Sequence, residues 1–231
     1  HAPAGARDNM IYIMNGVVGI YNRYGTFAKH LYVNYNAGVP TAQGNFNGIN
    51  VLHDYVVSGK IDQDIGDLHF SNQTTYRRYE NQTRQDLDTT AAPFLDADLH
   101  GGADVITNEA QLFGPSGSKL DWIIGTFYFY MDGGYDPFHQ EGTSTGAQPF
   151  VNLYSNQKIK SFAVYGQATY SSTDSTRLTL GLRNTWERRR LDGRTEGPGN
   201  VVLAGPIEQR QRYNKPTWRI ALAQNFSPTI N

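Results

Sequence analysis

The feature that most constrains this chain is a repeated pair of runs, each alternating apolar with polar residues and joined by a very short link. Val51 to Ile65 and Leu68 to about Thr83 meet at Gly66-Asp67, a dipeptide suited to tight hairpins. Val105 to Phe113 and Leu120 to Met131 are joined by the six-residue stretch Gly114 to Lys119, and Lys160 to Tyr170 and Thr176 to Arg188 by Ser171 to Ser175. A seventh run, Thr217 to Phe226, follows without a partner. Between the pairs lie long polar stretches: Thr89 to Asp104, Asp132 to Ile159 and Arg189 to Pro216. Short and long links are thus expected to alternate, as in an up-and-down membrane barrel with tight turns on one side and long loops on the other. The runs also have the reach of tilted membrane strands, which need about 9–11 residues.

Successive side chains of a strand point to opposite faces. From Arg177 to Glu187 one face carries Leu178, Leu180 and Leu182, then Asn184 and Trp186; the other carries Arg177, Thr179, Gly181, Arg183 and Thr185. Phe162, Val164, Gly166, Ala168 and Tyr170 oppose Ala163, Tyr165, Gln167 and Thr169 in the same way, and Trp218, Ile220 and Leu222 oppose Arg219, Ala221 and Ala223. One face suits lipid and the other water. Leu120 to Met131 is apolar on both faces, and Asn72 interrupts the apolar face of the second run. Residues 1–50 read as a loop-rich segment with one expected strand, Met10 to Tyr21, and residues 51–231 as barrel wall.

Composition agrees with an all-β chain. Tyr at 15, Phe at 11 and Trp at 3 supply amphipathic rings for strands and interfaces, while Gly at 24 and Pro at 10 mark frequent turns. The formal net charge of −1 argues against a nucleic-acid partner, and the absence of Cys removes disulfides and thiol chemistry. No apolar run approaches the roughly 20 residues of a membrane-spanning helix, and the mean hydropathy of −0.54 is compatible with a barrel whose strands are apolar on alternate residues only.

Three stretches carry a family resemblance. Ser161-Phe-Ala-Val-Tyr-Gly-Gln-Ala-Thr-Tyr170 with Arg177-Leu-Thr-Leu-Gly-Leu-Arg183 resembles the "Y-G-Q" and "L-G-L-R" hairpin of TonB-dependent receptors, especially those abundant in sphingomonad-like bacteria. Asn108 to Leu112 with Lys119 to Phe129 resembles a second hairpin of that family, and Lys215 to Leu222 the strand that follows. The family pattern commonly has Arg where Gln111 stands. The resemblance covers roughly residues 51 to 228 and implies an outer-membrane receptor that imports a siderophore, vitamin, glycan or aromatic compound, with no enzymatic activity and no cofactor. It also implies a plug domain, the remaining strands of a barrel of about 22, the TonB inner-membrane complex, and outer-membrane lipid and lipopolysaccharide as partners. The chain starts at His1 with neither an initiator Met nor a signal peptide, and the family's plug and energy-coupling box find no counterpart in it, so it is expected to be part of a longer protein. A passive porin and a secreted carbohydrate-binding β-sandwich share the same periodicity and stay open at this point.

The expected lumen-facing residues are Tyr165, Gln167, Arg177, Thr179, Arg183 and Arg219; the expected ligand contacts are Asp96, Asp98, Tyr135, Phe138 and His139 on extracellular loops. Gly142-Thr-Ser-Thr-Gly146 fits the G-x-S-x-G hydrolase pattern, but that motif needs a strand before it, a helix after it and a later His, and the last His is His139. Asp86, Asp88, Asp96, Asp98 and Asp104 have the oxygen ligands for Ca²⁺ without EF-hand spacing, so a solvated acidic loop is favoured. Arg188-Arg189-Arg190 with Arg194 suits an outer rim where cations meet lipid phosphates, with a plain solvated loop as the alternative.

Overall fold

The structure, a computed structural model, describes residues 48–87, 93–115, 117–146, 149–173 and 175–225. The strand expected at Met10 to Tyr21 lies outside them. Seven antiparallel strands form one sheet in chain order: β1 (Ile49–Ile65), β2 (Leu68–Asp86), β3 (Asp96–Phe113), β4 (Leu120–Glu141), β5 (Phe150–Thr173), β6 (Thr176–Gly197) and β7 (Val201–Gln224). No helix of the described residues is long and apolar enough to cross a membrane, which says nothing of strands.

The strands are much longer than the periodicity suggested. β5 and β7 each run 24 residues, more than twice the ~9–11 needed to cross a bilayer. The stretches expected to be long loops, Thr89 to Asp104, Asp132 to Ile159 and Arg189 to Pro216, are mostly strand. Only short links remain of them, and the last is the three-residue turn Pro198–Asn200. Gly199 and Asn200 there sit at φ 72 and 58, the left-handed conformation that Gly and Asn adopt at least cost. By the strand bounds the links at the Gly66-Asp67 end span two, six and two residues and those at the other end nine, eight and three, so short and long still alternate, but the long links are far shorter than the expected loops. The physical reason is exposure. Beyond the band that would contact lipid both faces of a hairpin are wet, so alternation disappears while the backbone ladder continues.

Register assigns every side chain to a face. Tyr165 stands opposite Arg183, Gln167 opposite Gly181 and in turn Arg219, Thr169 opposite Thr179, and Ser171 opposite Arg177, so the six expected lumen residues share one face. That face is the more enclosed: Ala163 is 0% exposed, and Ser71 and Ser161 are also buried. On the other face Leu182 is 72% and Trp218 75% exposed.

The exposed face is layered. Each strand but one ends its apolar stretch on a ring: Tyr55 on β1, Tyr76 on β2, Tyr130 on β4, Phe162 on β5, Trp186 on β6 and Trp218 on β7, with Ile106 on β3. Measured along the register this boundary climbs from Trp218 on β7 to Tyr55 on β1, as a level membrane surface cuts tilted strands. From Leu178 to Arg188 the strand covers about 33 Å at roughly 3.3 Å per residue. A tilt near 40° reduces that to about 25 Å, the height of the apolar band of an outer-membrane barrel.

Candidate functional site: the enclosed face and the outer ends of the hairpins

The enclosed face holds a network centred on Tyr165. Its hydroxyl donates to Glu109 Oε1 at 2.6 Å and accepts from Gln111 Nε2 at 2.8 Å. The Arg183 guanidinium lies 5.7 Å from the centre of the Tyr165 ring and 5.8 Å from that of Phe127. The ring reaches Glu109 by lying across Gly125, where a Cβ would stand 2.6 Å from the ring carbon and the hydroxyl oxygen. Towards the tight turns the hydroxyls of Thr169 and Thr179 meet at 2.9 Å, and towards β1 Arg77 binds Asp54 through two bonds of 2.8 Å. Glu109, Asp54 and Arg77 were not singled out in the sequence, and Gln111 only as a departure from the family pattern. Their strand alternation alone marked the face, and only register brings them beside Tyr165 or each other.

Gly125→Ala is expected to push the Tyr165 ring aside and release both of its hydrogen bonds, at about 1–3 kcal/mol for the overpacking. Tyr165→Phe, which keeps the ring, is expected to cost about 0.5–1.5 kcal/mol. The temperature at which the full-length barrel loses its heat-modifiable gel mobility measures both, and equal stability of Gly125→Ala and the parent would remove the ring from that position.

The expected ligand residues sit on strands, which corrects their placement on loops. Asp96 and Asp98 are on β3; Tyr135, Phe138 and His139 are on β4, held in the ladder by pairing with β3 and β5. Their rings are engaged with neighbours: Tyr135 and Phe138 lie 6.0 Å apart, His139 lies 5.3 Å from Phe150, and His139 Nδ1 is 2.7 Å from Asn152 Oδ1. A cavity of about 910 Å³ opens at this end of the sheet, above Gly101, Gly102, Gly133 and Gly134 and beside His53, Glu80, Tyr154, Arg194 and Glu208. Of the expected ligand residues Tyr135 alone lines it. Arg194 lies 4.1 Å from the Tyr154 ring centre and binds Glu196 at 2.5 Å, which raises its pKa.

The other sequence motifs fall as follows. Thr143–Thr145 is a 3-10 turn between two strands, not the strand-to-helix elbow that G-x-S-x-G chemistry requires. Asp96 and Asp98 lie at the outer end of β3, whereas Asp104 receives the Tyr76 hydroxyl farther along it. Among the described residues no group of three or more His, Asp or Glu is placed to hold a metal ion. The arginine run is split by strand alternation. Arg188 and Arg190 point to the exposed face, while Arg189 points to the enclosed one, bound to Glu187 at 2.5 Å. Lys158, Lys160, Arg210 and Arg212, unnoticed in the sequence, flank Arg188 and Arg190 across the register.

A family model described as "TonB dependent receptor-like, beta-barrel" matches residues 3–231. The structure is similar to the crystal structure of the ferric yersiniabactin uptake receptor FyuA from Yersinia pestis, with a TM-score of 0.60 and 11% identity, covering 78% of this chain and 26% of that one. The chain thus spans about a quarter of that receptor's length, and at this identity the likeness shows the fold alone. No curated protein matches the chain. A match over almost the whole sequence, on an antiparallel up-and-down sheet, places the chain in the TonB-dependent receptor-like β-barrel family.

Proposed function

We propose that the chain is part of the wall of an outer-membrane receptor that imports a scarce nutrient by TonB-coupled transport. One observation carries this reading: the exposed face is layered as apolar residues, then rings, then charge, on a boundary that crosses the sheet at a slant. A secreted sandwich would bury that face against a second sheet, whereas a membrane barrel presents it to lipid. In this reading Tyr165, Gln167, Arg177, Thr179, Arg183 and Arg219 face the lumen and meet the plug. The outer ends of the hairpins, with Asp96, Asp98, Tyr135, Phe138 and His139, stand where ligand arrives. The edges β1 and β7 require further wall strands, because unpaired backbone groups are not tolerated in lipid.

The first nutrient class to test is a ferric siderophore, since the similar structure is named as a receptor for ferric yersiniabactin uptake. In iron-starved cells deletion of the full-length parent gene is expected to abolish uptake of at least one radiolabelled ferric siderophore, and loss of TonB is expected to abolish the same uptake. Uptake that needs the parent but continues without TonB would identify a passive porin instead.

A further inference from the structure

Asn72, which interrupts the apolar run of β2, is the centre of a polar cluster on the exposed face. It stands two rungs below Tyr76, with Thr74 between them, and Asn108 of β3 stands opposite Thr74, one rung below Ile106. Asn108 Nδ2 donates to Thr74 Oγ1 at 2.7 Å and to Asn72 Oδ1 at 3.2 Å, and Asn72 Nδ2 donates to the Glu109 carbonyl at 3.2 Å. Thr126 of β4 follows across Ala110. Same-face neighbours along a strand are about 7 Å apart, so at a tilt near 40° Asn72 lies about 10 Å below the rings. That depth is inside the apolar band.

Among the described residues neither Asn108 Oδ1 nor the Thr126 hydroxyl has a hydrogen-bond partner. Acyl chains offer none and exclude water, so these groups stay unsatisfied until another protein surface meets them. Asn184 of β6 differs, because it stands between the levels of Trp186 and Trp218, in the ring layer, where headgroups and water reach it. Beside the cluster the surface is hollow. Ala110 and Thr126 are small and leave a cleft of about 240 Å³ between Phe70, Leu112, Ile124 and Val164. On the cluster's other side Ile61 of β1, opposite Asn72, is 62% exposed. A knob and a hollow thus flank the amides within one copy.

Two copies inserted the same way are related by a twofold axis along the membrane normal, so each residue meets residues of its own depth. An amide both donates and accepts, which makes an amide cluster complementary to itself at that depth. The same axis carries Ile61 of each copy towards the hollow of the other. We propose that Asn72, Thr74, Asn108 and Thr126 form the centre of an intramembrane contact with a second copy of the parent protein. The inference rests on the outer-membrane reading but is independent of which nutrient is carried.

The test uses the full-length parent, freed of any other cysteine and carrying one dye at Val201→Cys, in phosphatidylcholine vesicles at low protein density. Photobleaching steps count the copies per particle. Two-step particles are expected to dominate for the parent. In N72L/T74V/N108L the constant for pairing is expected to fall about tenfold or more, because several intramembrane hydrogen bonds are lost from each copy. Asn184→Leu is expected to match the parent. Heat-modifiable mobility first establishes that each variant is folded; should the triple variant not fold, Asn108→Leu alone is measured in its place. Leucine suits the apolar band, so the folded triple variant is expected to unfold no earlier than the parent. An unchanged count in the folded variant overturns the proposal, and earlier unfolding beside it would make the cluster a lock between β2 and β3. Single-step particles for the parent, counts above two, or an equal fall in Asn184→Leu overturn it as well. Any of these outcomes with intact TonB-dependent uptake leaves the transport reading standing, whereas absence of the parent from the outer membrane overturns both.

Discussion

Leu182→Arg in the full-length parent is expected to cost about 2–4 kcal/mol of barrel stability, the penalty for an arginine on the lipid face near the bilayer midplane. Leu182 is among the most exposed apolar side chains of the sheet, and it lies close to halfway between Leu178 and Arg188 along the apolar stretch of β6. Leu180→Arg, nearer the tight turns, is expected to cost less, because the penalty falls towards the interfaces. Thr179→Arg is the control. Thr179 adjoins Leu180 and so lies at nearly the same depth, but it points to the enclosed face, where its hydroxyl meets that of Thr169. Losing that contact costs about 0.5–1.5 kcal/mol, with no charge transferred to hydrocarbon. The fraction of protein showing heat-modifiable mobility in the outer membrane should therefore fall in the order Thr179→Arg, Leu180→Arg, Leu182→Arg. Equal assembly of all three variants would sink the assignment of faces.

The contrast between Leu180 and Thr179 also explains how much was legible in the sequence. Where one face meets lipid, each second residue must be apolar, so the central parts of β5, β6 and β7 and their face assignments could be read directly from Phe162, Val164, Leu178, Leu180, Leu182, Trp218 and Ile220. Past the rings nothing requires alternation. Asp132 to Glu141 and Leu191 to Gly197 are strand by hydrogen bonding to their neighbours, with glycines and charges that composition assigns to loops. The loop reading of Tyr135, Phe138 and His139 failed for that reason. The cation block was hidden for another: Lys160, Arg188 and Arg212 are separated in sequence and adjacent only through register. The visible triplet Arg188 to Arg190, read with Arg194 as an outer rim or a solvated loop, is divided by strand alternation between two faces.

Topology provides the second large effect, and the longer strands change where it is best measured. The native chain has no Cys, so single cysteines introduced into the full-length parent carry no background labelling. In the proposed outer-membrane reading successive strands cross the membrane in opposite directions, so the links at Gly66-Asp67, Gly114 to Lys119 and Ser171 to Ser175 lie on one side and those near Gly142 and Gly199 on the other. Asp67 and Lys119 are exposed at the first end, and Glu141 and Val201 at the second. Glu141→Cys and Val201→Cys are expected to react with a membrane-impermeant maleimide on intact cells. Asp67→Cys and Lys119→Cys are expected to react only after the outer membrane is opened. A fifth position tests the extended hairpins: Gln209, in the outer half of β7, stands beyond the rings and is exposed, so Gln209→Cys should label from outside although it lies in a strand. Labelling of all five positions on intact cells would mean that no membrane separates the two ends of the sheet, and the exposed apolar face would then have to meet protein in place of lipid.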